Sequence, residues 1–363
     1  MYYFIVNISG GSGKAKKTWI RVRDELKRRN VEYKAFRTKS SEHAGVLAGK
    51  ISELSDDDIH MVVVGGDGTI NEVLNGIKDF ERITFSVIPS GSANDFARGL
   101  GISKNPVIAL SGILDTSKES QRIDIGCVTS FGRKKDNNSE NETIDNSAET
   151  IINRRLFGIS SGIGLDAIVC KKALDSKIKN VLNKLNLGSL TYIILTVISL
   201  FTMDYIDAEI EVYDTYNRED KSDILALKER EDIGDISTFK EKIIKEDTLV
   251  LKEKINLKKM IFAAFMNVRA EGGGVPMAPD ALYDDGKLSV CIASDISKLN
   301  AFTKLPLLVM AKQEKIKGFK LFDASKIVVR TKQPSVVHAD GEYVGDETEI
   351  IIECLDKKLK LKN

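Results

Sequence analysis

The sequence predicts an α/β domain with a parallel sheet, followed by a C-terminal antiparallel β-sandwich domain. Three observations support this fold class. Strands and helices alternate through the first third of the chain, glycine turns follow three of the predicted strands, and strand-like segments dominate from about Ile123 onward. Alternating strands and helices are typical of a parallel sheet with helices on both faces. A length of 363 residues exceeds that of a typical single domain, which agrees with two domains.

The N-terminal elements form four strand–helix units. The predicted pairs are YYFIVNI with a helix over residues 15–29, VEYKAFRT with SSEHAGVLAGKISEL, HMVVVGG with TINEVLNGI, and RITFSVIPS with ANDFARGLGI. Ligands of open parallel sheets bind at the carboxyl ends of the strands. The glycine turns after the first strand, after Val64 and after Ser90 all fall at that edge. This edge of the sheet is therefore the predicted ligand-binding edge.

The remainder of the chain reads as β structure. Its strand-like segments are RIDIGCVTSF, RLFGISSGIG, DAEIEVYD, KMIFAAFMNV, GKLSVCIASD, KIVVRT and TEIIIECL. Two polar insertions interrupt them, near 132–150 and 215–247, and we assign no chemistry to either insertion. The predicted division is an α/β domain over residues 1–124 and a β-sandwich domain over residues 125–363.

The composition gives no support to a nucleic-acid partner. Lys and Arg number 54 against 53 Asp and Glu, a net charge of +1, whereas nucleic-acid-binding domains carry strongly basic surfaces. The cysteines suit a reducing cytosol and indicate neither a disulfide framework nor a zinc site, because Cys127, Cys170, Cys291 and Cys354 lie far apart. The N-terminal segment has no basic region before an apolar run, so no signal peptide is expected.

The longest apolar run, LTYIILTVISLF, covers residues 190–201. It is shorter than the roughly 20 residues needed to span a bilayer. The run is therefore expected to be a buried helix, and the alternative is a helix that contacts a membrane surface or an acyl chain.

The stretch VVVGGDGTINEVLNGI places an aspartate, Asp67, inside a predicted phosphate-binding turn. A buried strand ends at Val64, Gly65, Gly66 and Gly68 form a tight turn, and a helix follows. Bare N–H groups at a helix N-terminus attract phosphate, but a carboxylate repels it unless a cation lies between them. Mg²⁺ commonly takes one or two carboxylates together with phosphate oxygens. Asp67 thus indicates a Mg²⁺–nucleotide site, and the alternative is a carboxylate that only caps the helix.

The two glycine-rich segments do not fit standard nucleotide motifs. GGSGK at residues 10–14 fails as a Walker A loop, because Ile8 stands at the first glycine and Ala15 at the Mg²⁺-binding Ser or Thr. GGDGTIN fails the dinucleotide pattern, because Asn71 stands at the third glycine. The phosphate-binding loops are therefore predicted to belong to another type of nucleotide site.

A second segment, IPSGSANDFARGLGI at residues 88–102, repeats the strand–turn–helix design one unit later. Ser92 and Asn94 are able to cap the helix and to bind phosphate, and Asp95 adds a second carboxylate at the same sheet edge. Lys14, in the loop after the first strand, reaches phosphate oxygens in this arrangement. Two glycine turns, two carboxylates and a lysine at one edge favour a catalytic site over simple packing.

These segments resemble the catalytic-domain family of diacylglycerol kinases and sphingosine kinases, which includes soluble bacterial lipid kinases. The resemblance rests on GGDGTINEVLNGI and PSGSANDFARGLGI, and it extends to RIDIG at 122–126, GIGLDA at 162–167, GGGVPMAPDALYDDGKL at 272–288 and HADGE at 338–342. It implies an NAD kinase/diacylglycerol kinase-like α/β domain, a β-sandwich, and an active site in the cleft between them. It also implies a lipid kinase that uses ATP and Mg²⁺ to phosphorylate a lipid hydroxyl.

The resemblance also implies roles for individual residues. Residues expected along the nucleotide and its phosphates are Gly10, Gly11, Ser12, Gly13, Lys14, Thr38, Gly65, Gly66, Asp67, Gly68, Thr69, Asn71, Glu72, Ser92 and Asn94. Asp67 is expected to reach the catalytic Mg²⁺ through water, with Asp95 and Asp124 as supporting acidic groups. A structural metal site is implied at Asp285, through its carboxylate, and at Leu282 and Lys287, through their carbonyls. HADGE supplies the base, with Asp340 favoured, Glu342 as its partner, and the reverse assignment also retained.

Each of these interpretations has an alternative. Asp285-Gly286 and Asp340-Gly341 are also the composition of tight hairpin turns. NAD kinases share the GGDGT turn, so a kinase of a soluble substrate is the second hypothesis, and a non-catalytic nucleotide-binding regulator is the third. The expected partner is a lipid substrate at a membrane surface, with the protein cytoplasmic and peripherally associated. The oligomeric state is left open, a homodimer included.

Overall fold

The computed structural model describes residues 1–9, 14–54, 58–132, 150–174, 190–215 and 249–363. The N-terminal elements are β1 (Tyr2–Val6), α1 (Lys14–Arg28), β2 (Tyr33–Arg37), α2 (His43–Ser52), β3 (Ile59–Gly65), α3 (Asp67–Gly76), β4 (Ile83–Pro89), α4 (Asp95–Gly99) and α5 (Pro106–Leu114). The elements that follow are β5 (Gln121–Gly132), β6 (Thr150–Phe157), β7 (Ser160–Gly164), α6 (Leu165–Leu174), α7 (Leu190–Thr202), β8 (Ile206–Thr215), β9 (Leu249–Met260), β10 (Phe262–Met266), β11 (Leu288–Ala293), α8 (Lys298–Val309), β12 (Phe319–Ala324), β13 (Lys326–Ala339) and β14 (Glu342–Leu361).

The N-terminal strands form a parallel sheet in the order β4-β3-β1-β2. The strands are rich in apolar residues because helices cover both faces of such a sheet. Helix α1 buries Trp19, Val22 and Leu26, which lie on one face at helical spacing. The helix ends near Asn30, whose φ of 51° is left-handed and stops helical continuation. The predicted α/β fold of this half is confirmed.

The C-terminal half is an antiparallel sheet in the order β12-β11-β10-β7-β13-β14, with β8 paired to β13 and β9 to β8. One of its faces encloses a core that includes Phe265, Val290 and Ile327. On another face, α6, α7 and α8 pack over a second core that includes Leu195, Met266 and Leu308. The predicted antiparallel β-sandwich is confirmed. The helix layer includes α7, which is the predicted helix of the apolar run, and α8, which the strand-like pattern did not predict.

The last strand joins the two halves. Lys360 and Leu361 at the end of β14 pair in parallel with Thr84 and Phe85 of β4, while the beginning of β5 pairs with the same end of β14. Leu359 and Leu361 are fully buried in the N-terminal core. The sheet therefore runs across the predicted division at residues 124 and 125, which stays a prediction.

Four further features bear on the sequence predictions. Helix α5 was not predicted, although Asn105 caps it through a hydrogen bond from the N–H of Val107 and Pro106 begins it. The apolar run is helix α7, which buries Leu195 and Leu200 but exposes Ile198 and Phe201, so it is only half buried. Most of the two polar insertions lies outside the described residues. No described helix combines the length and the apolar character needed to cross a membrane.

Candidate active site

Two glycine turns lie side by side at the carboxyl ends of β3 and β4. Gly65 and Gly66 lead from β3 into α3, and the segment from Ser90 to Asn94 leads from β4 into α4. A Cβ atom added to Gly66 would lie 2.9 Å from the Cα of Gly91. Neither turn therefore has room for a side chain at this contact. The first N–H groups of α3 lack helical partners, which makes this edge suitable for an anion such as phosphate.

Asp67 connects the two glycine turns. It occupies the first turn of α3, and its Oδ1 accepts the N–H of Phe96 in α4 at 3.2 Å. The pKa of Asp67 is raised to about 6, mainly by burial and next by the negative charge of Asp95, while backbone hydrogen bonds lower it. The carboxylate thus caps the neighbouring helix, and it also lies close enough to a second carboxylate to favour a cation beside both.

Asp95 is buried and joins the two halves of the chain. Its Oδ1 pairs with the guanidinium of Arg98, and its Oδ2 accepts the N–H of Gly273 at 2.7 Å. Gly273 lies in a loop of three glycines with positive φ, which crosses over α4 from the C-terminal half. The acidic edge of the parallel sheet therefore faces a cleft that the second half closes.

Asp340 lies in the turn between β13 and β14, with a left-handed φ of 49°. Its carboxylate accepts four hydrogen bonds of 2.8–3.1 Å, from the side-chain amide of Asn71 and the backbone N–H groups of Gly158, Ile159 and Ser160. Burial raises the pKa of Asp340, while these hydrogen bonds lower it. The carboxylate is held rigidly, and its lone pairs are already occupied by protein donors.

Glu342 turns toward the other side of the cleft. A Cβ atom added to Gly68, in the first turn of α3, would lie 3.3 Å from Oε1 of Glu342. This carboxylate therefore lies over the helix N-terminus that begins with Asp67. The structure places the two predicted residues of HADGE differently, because Asp340 is anchored by hydrogen bonds and Glu342 reaches the first turn of α3.

A third acidic group was missed by sequence reasoning. Asp166, Glu271 and His338 place potential ligand atoms within 4.8 Å of one another, the one such group found among the described residues. His338 Nε2 lies 3.2 Å from Asp166 Oδ2, its Nδ1 accepts the N–H of Gly341 at 3.2 Å, and Glu271 accepts the hydroxyl of Ser160. Burial raises the pKa of Glu271 to about 7. The signals in the sequence were the glycine-rich GIGLDA and EGGG segments that hold Asp166 and Glu271.

Asp124 lies with the predicted structural metal site. Its carboxylate accepts the N–H groups of Gly286 at 2.8 Å and Lys357 at 2.6 Å. Burial raises the pKa of Asp124, and so do the nearby charges of Asp356 and Asp285. The structure thus brings Asp124 to the 285–287 turn, whereas the sequence grouped it with Asp67 and Asp95. An excess of carboxylates around one turn fits a divalent cation.

The same turn also has the features of an ordinary local turn, although it lies in the long connection between β10 and β11 and is not the tight turn of a hairpin. Asp285 is exposed, and its Oδ1 accepts the N–H of Lys287 at 3.1 Å, which is a local turn hydrogen bond. The ammonium of Lys287 lies 2.5 Å from Asp214. The carboxylate of Asp285 has room for a cation, with the carbonyls of Leu282 and Lys287 as the predicted further ligands.

The predicted nucleotide residues are distributed around the glycine turns. Gly10 to Gly13 lie outside the described residues, and Lys14 is exposed at the first position of α1. The N–H of Thr38 bonds to the carbonyl of Val6 at the end of β1. The hydroxyl of Thr69 accepts a hydrogen bond from Asn7 at 2.9 Å.

The glycine turn between β4 and α4 contains a candidate ligand residue that the sequence did not predict. Ser92 is exposed there, while the side chain of Asn94 bonds to the backbone of Gly91 at 2.8 and 3.0 Å and shapes the turn. The hydroxyl of Ser90 is buried and has no hydrogen-bond partner among the described residues. An unpaired buried hydroxyl beside a phosphate-binding turn is a candidate ligand group.

Asn71 and Glu72 hold protein segments together. The amide of Asn71 donates to Asp340 and accepts two hydrogen bonds from Arg155, at 2.9 and 2.7 Å. Glu72 accepts the N–H of Ala44 at the start of α2, at 3.0 Å. The structure therefore gives both side chains protein partners, whereas the sequence placed them on the phosphates.

Comparisons with known proteins agree with this geometry. Residues 1–128 match the diacylglycerol kinase catalytic domain, and residues 161–362 match the YegS C-terminal NAD kinase beta sandwich-like domain. The fold and the site define a kinase with its acidic cleft between an α/β domain and a β-sandwich. The chain belongs to the lipid kinase family that combines these two domains.

Individual relatives extend the match over nearly the whole chain. "Putative lipid kinase YtlR" of Bacillus subtilis (strain 168) is 28% identical over 345 residues, which cover 95% of this chain and 94% of the relative. A diacylglycerol kinase of the same organism is 39% identical over 97 residues, which cover 25% of this chain and 31% of that protein. A solved structure of a diacylglycerol kinase from Bacillus anthracis str. Sterne covers 100% of this chain and 96% of its own, at 18% identity and a TM-score of 0.58. At that identity the likeness shows the fold alone.

Proposed function

We propose that this kinase transfers the γ-phosphate of ATP to the hydroxyl of a lipid, with Mg²⁺ as the metal ion. One observation carries the proposal: carboxylates from both halves meet at the N-terminus of α3. Asp67 and Asp95 come from the parallel sheet, and Glu342 reaches Gly68 from the β-sandwich. A phosphate bound at this helix N-terminus would have Asp67 and Asp95 on one side and Glu342, as the proton acceptor, on the other.

The charge arrangement favours a metal-dependent reaction. Burial, and after it the negative charge of Asp95, raises the pKa of Asp67 to about 6, so the two carboxylates repel each other although Arg98 pairs with Asp95. A triphosphate at the same edge adds more negative charge. Mg²⁺ would be held by Asp67, directly or through water, with Asp95 beside it, and it supplies neutralisation of the phosphate charge during transfer.

We assign the general base to Glu342 and the positioning role to Asp340. All lone pairs of Asp340 that face the protein are engaged by four donors, so proton acceptance there would break an existing network. Glu342 lies over α3, where a lipid hydroxyl approaching the γ-phosphate would stand. The lipid oxygen forms a bond to phosphorus, its proton passes to Glu342, and the bond from phosphorus to the ADP oxygen breaks.

The lipid acceptor is supported by the relatives, whose names include a lipid kinase and diacylglycerol kinases. The test incubates the purified protein with labelled ATP and Mg²⁺, together with either a detergent-dispersed total lipid extract or NAD. Label in the organic phase is expected, and Glu342→Gln is expected to lose it while retaining nucleotide binding. Label that appears only on NAD would assign the protein to the soluble-substrate class instead.

A further inference from the structure

Packing among the residues that the structure describes leaves an apolar surface exposed on helices α7 and α8 and on the residue that follows α8. Its members are 39–63% exposed. We call it the α7–α8 face, and it consists of Ile198, Phe201, Leu299, Phe302, Val309 and Met310. Single exposed apolar side chains are ordinary, but contiguous exposed patches mark interaction surfaces.

The geometry makes this surface one unit. Leu299 and Phe302 lie on the outer side of α8 at helical spacing, and Met310 follows directly after the helix. The rings of Phe201 and Phe302 lie 5.9 Å apart across the two helices. The inner sides of the same helices are packed, with Leu195 and Leu308 in the core. The inner side therefore holds the outer side in place, and none of the residues that the structure describes covers the outer side.

Positive charge lies beside the α8 part of the α7–α8 face. Residues 296–320 contain six lysines against one acidic residue, Glu314, although the whole chain carries a net charge of only +1. Lys304 lies on the flank of the exposed side of α8, and Lys315, Lys317 and Lys320 are exposed just beyond the helix. An apolar stripe beside a row of lysines is the composition of a helix that lies in the interface of an anionic bilayer.

We propose that the α7–α8 face docks onto an anionic lipid bilayer, with its apolar side chains below the headgroups and its lysines at the level of the lipid phosphates. This inference rests on the proposed function, for which a bilayer is the source of the substrate. A second copy of the chain is a poorer partner, because a two-fold contact would bring the two lysine rims together. An anionic bilayer is complementary to both the apolar stripe and the charge.

The docking face is attached to the site. Helix α6 packs against α7, and Lys172 of α6 donates to the hydroxyl of Ser199 in α7 at 3.0 Å. The first turn of α6 carries Asp166, which lies beside His338 in the cleft. A bilayer bound at α7 and α8 is thus one helix away from the site that would receive its lipid.

The test is flotation of the purified protein with vesicles, in the absence of ATP. Phosphatidylcholine vesicles are compared with vesicles that contain phosphatidylglycerol. Phe302→Ser is expected to weaken partitioning to the anionic vesicles by about tenfold, the effect of removing one buried aromatic side chain. Lys315→Glu/Lys317→Glu is expected to remove the preference for anionic vesicles, and raised salt to weaken binding of the unchanged protein. The matched control is Ile108→Ser on α5, a residue 59% exposed and outside the face.

The outcomes separate docking from catalysis. Retained turnover of detergent-dispersed lipid by Phe302→Ser, with loss on vesicles, supports the docking role. Equal flotation of Phe302→Ser and the unchanged protein would overturn the inference, as would a dimer in solution that only this substitution dissociates. If the unchanged protein floats but phosphorylates no lipid, the proposed function fails while docking stands. If the unchanged protein phosphorylates dispersed lipid but does not float with the vesicles, the docking inference is wrong while the proposed function stands.

Discussion

Asp67 is an acidic side chain in a turn that otherwise suits an anion. Its Oδ1 is engaged by α4, and burial and Asp95 raise its pKa to about 6 from an ordinary value of 3.8. A raised pKa in the folded state means that the charged form destabilises the fold. This cost is absent below pH 3.8, grows as pH rises, and is complete above about pH 6. A structural cap alone would not require such a cost, whereas a metal-binding role explains it.

Asp67→Asn is therefore expected to lower kcat by at least about 10²-fold, the scale for loss of one electrostatic group at the reacting phosphate. The melting temperature at pH 7.5 is expected to stay unchanged or to rise, because the buried charge is gone while the oxygen acceptor remains. That gain in stability is expected to vanish near pH 4. Steady-state kinetics and thermal melts at both pH values check this, and a fully active variant would leave only the capping role.

Asp340 and Glu342 make separable predictions. Glu342→Gln is expected to lower kcat by at least about 10²-fold with little loss of stability. Asp340→Asn is expected to lower kcat and, in addition, to lower the free energy of unfolding by about 2–4 kcal/mol. The reason is that the amide presents donors where the carboxylate accepted four N–H groups. Nucleotide affinity is expected to change little in either variant. Urea unfolding and single-turnover kinetics distinguish them, and normal lipid phosphorylation by both would place the base elsewhere.

The sequence could predict the glycine turns and Asp67, because strand, turn and helix are adjacent there. It could not predict that His338 meets Asp166, since this contact depends on the pairing of β7 with β13, in which His338 lies opposite Gly162. A local motif does not determine the register between strands that lie far apart in the sequence. For the same reason the partners of Asn71 were missed, because Arg155 and Asp340 reach it from other strands.

The turn at residues 285–287 shows the same limit at the scale of an element. Its Asp-Gly pair predicts a tight hairpin, but the pair lies in the long connection between β10 and β11, where Gly286 has a left-handed φ of 75°. The acidic surroundings come from Asp124 and Asp356, which other strands supply. An ordinary turn needs no such charge, so the excess of carboxylates is the feature that a bound cation would explain.

Asp285→Ala tests this turn directly. If the turn binds a divalent cation, millimolar Mg²⁺ is expected to raise the melting temperature of the unchanged protein, because a ligand that binds only the folded state stabilises it. The variant is expected to lose that increase and to melt like the unchanged protein in EDTA. Asp284→Ala, at a neighbouring exposed carboxylate, is the control. Melting that does not respond to Mg²⁺ in either protein would favour an ordinary local turn.

The whole molecule is linked through β14, whose twenty residues begin in the cleft with Glu342 and end in the N-terminal sheet. The first half does not complete its core alone, because Leu359 and Leu361 fill that core from the end of the second half. Asp95 with Gly273 and Asn71 with Asp340 tie the same halves across the cleft. The site therefore depends on both halves being folded together.

Unfolding is accordingly expected to be a single cooperative transition, and Leu361→Ala is expected to shift it as a whole. Trp19 is the one tryptophan of the chain, and it is buried against Phe4 in the N-terminal core, so its fluorescence reports that half. Far-UV circular dichroism reports both halves. The cavity left by Leu361→Ala is expected to cost about 2–5 kcal/mol, with coincident midpoints by both probes. Leu321→Ala, at a position 39% exposed on β12, is expected to change stability by no more than about 0.5 kcal/mol. Two separate unfolding transitions would show that the halves fold independently, if Leu361→Ala changed only the midpoint measured by tryptophan fluorescence.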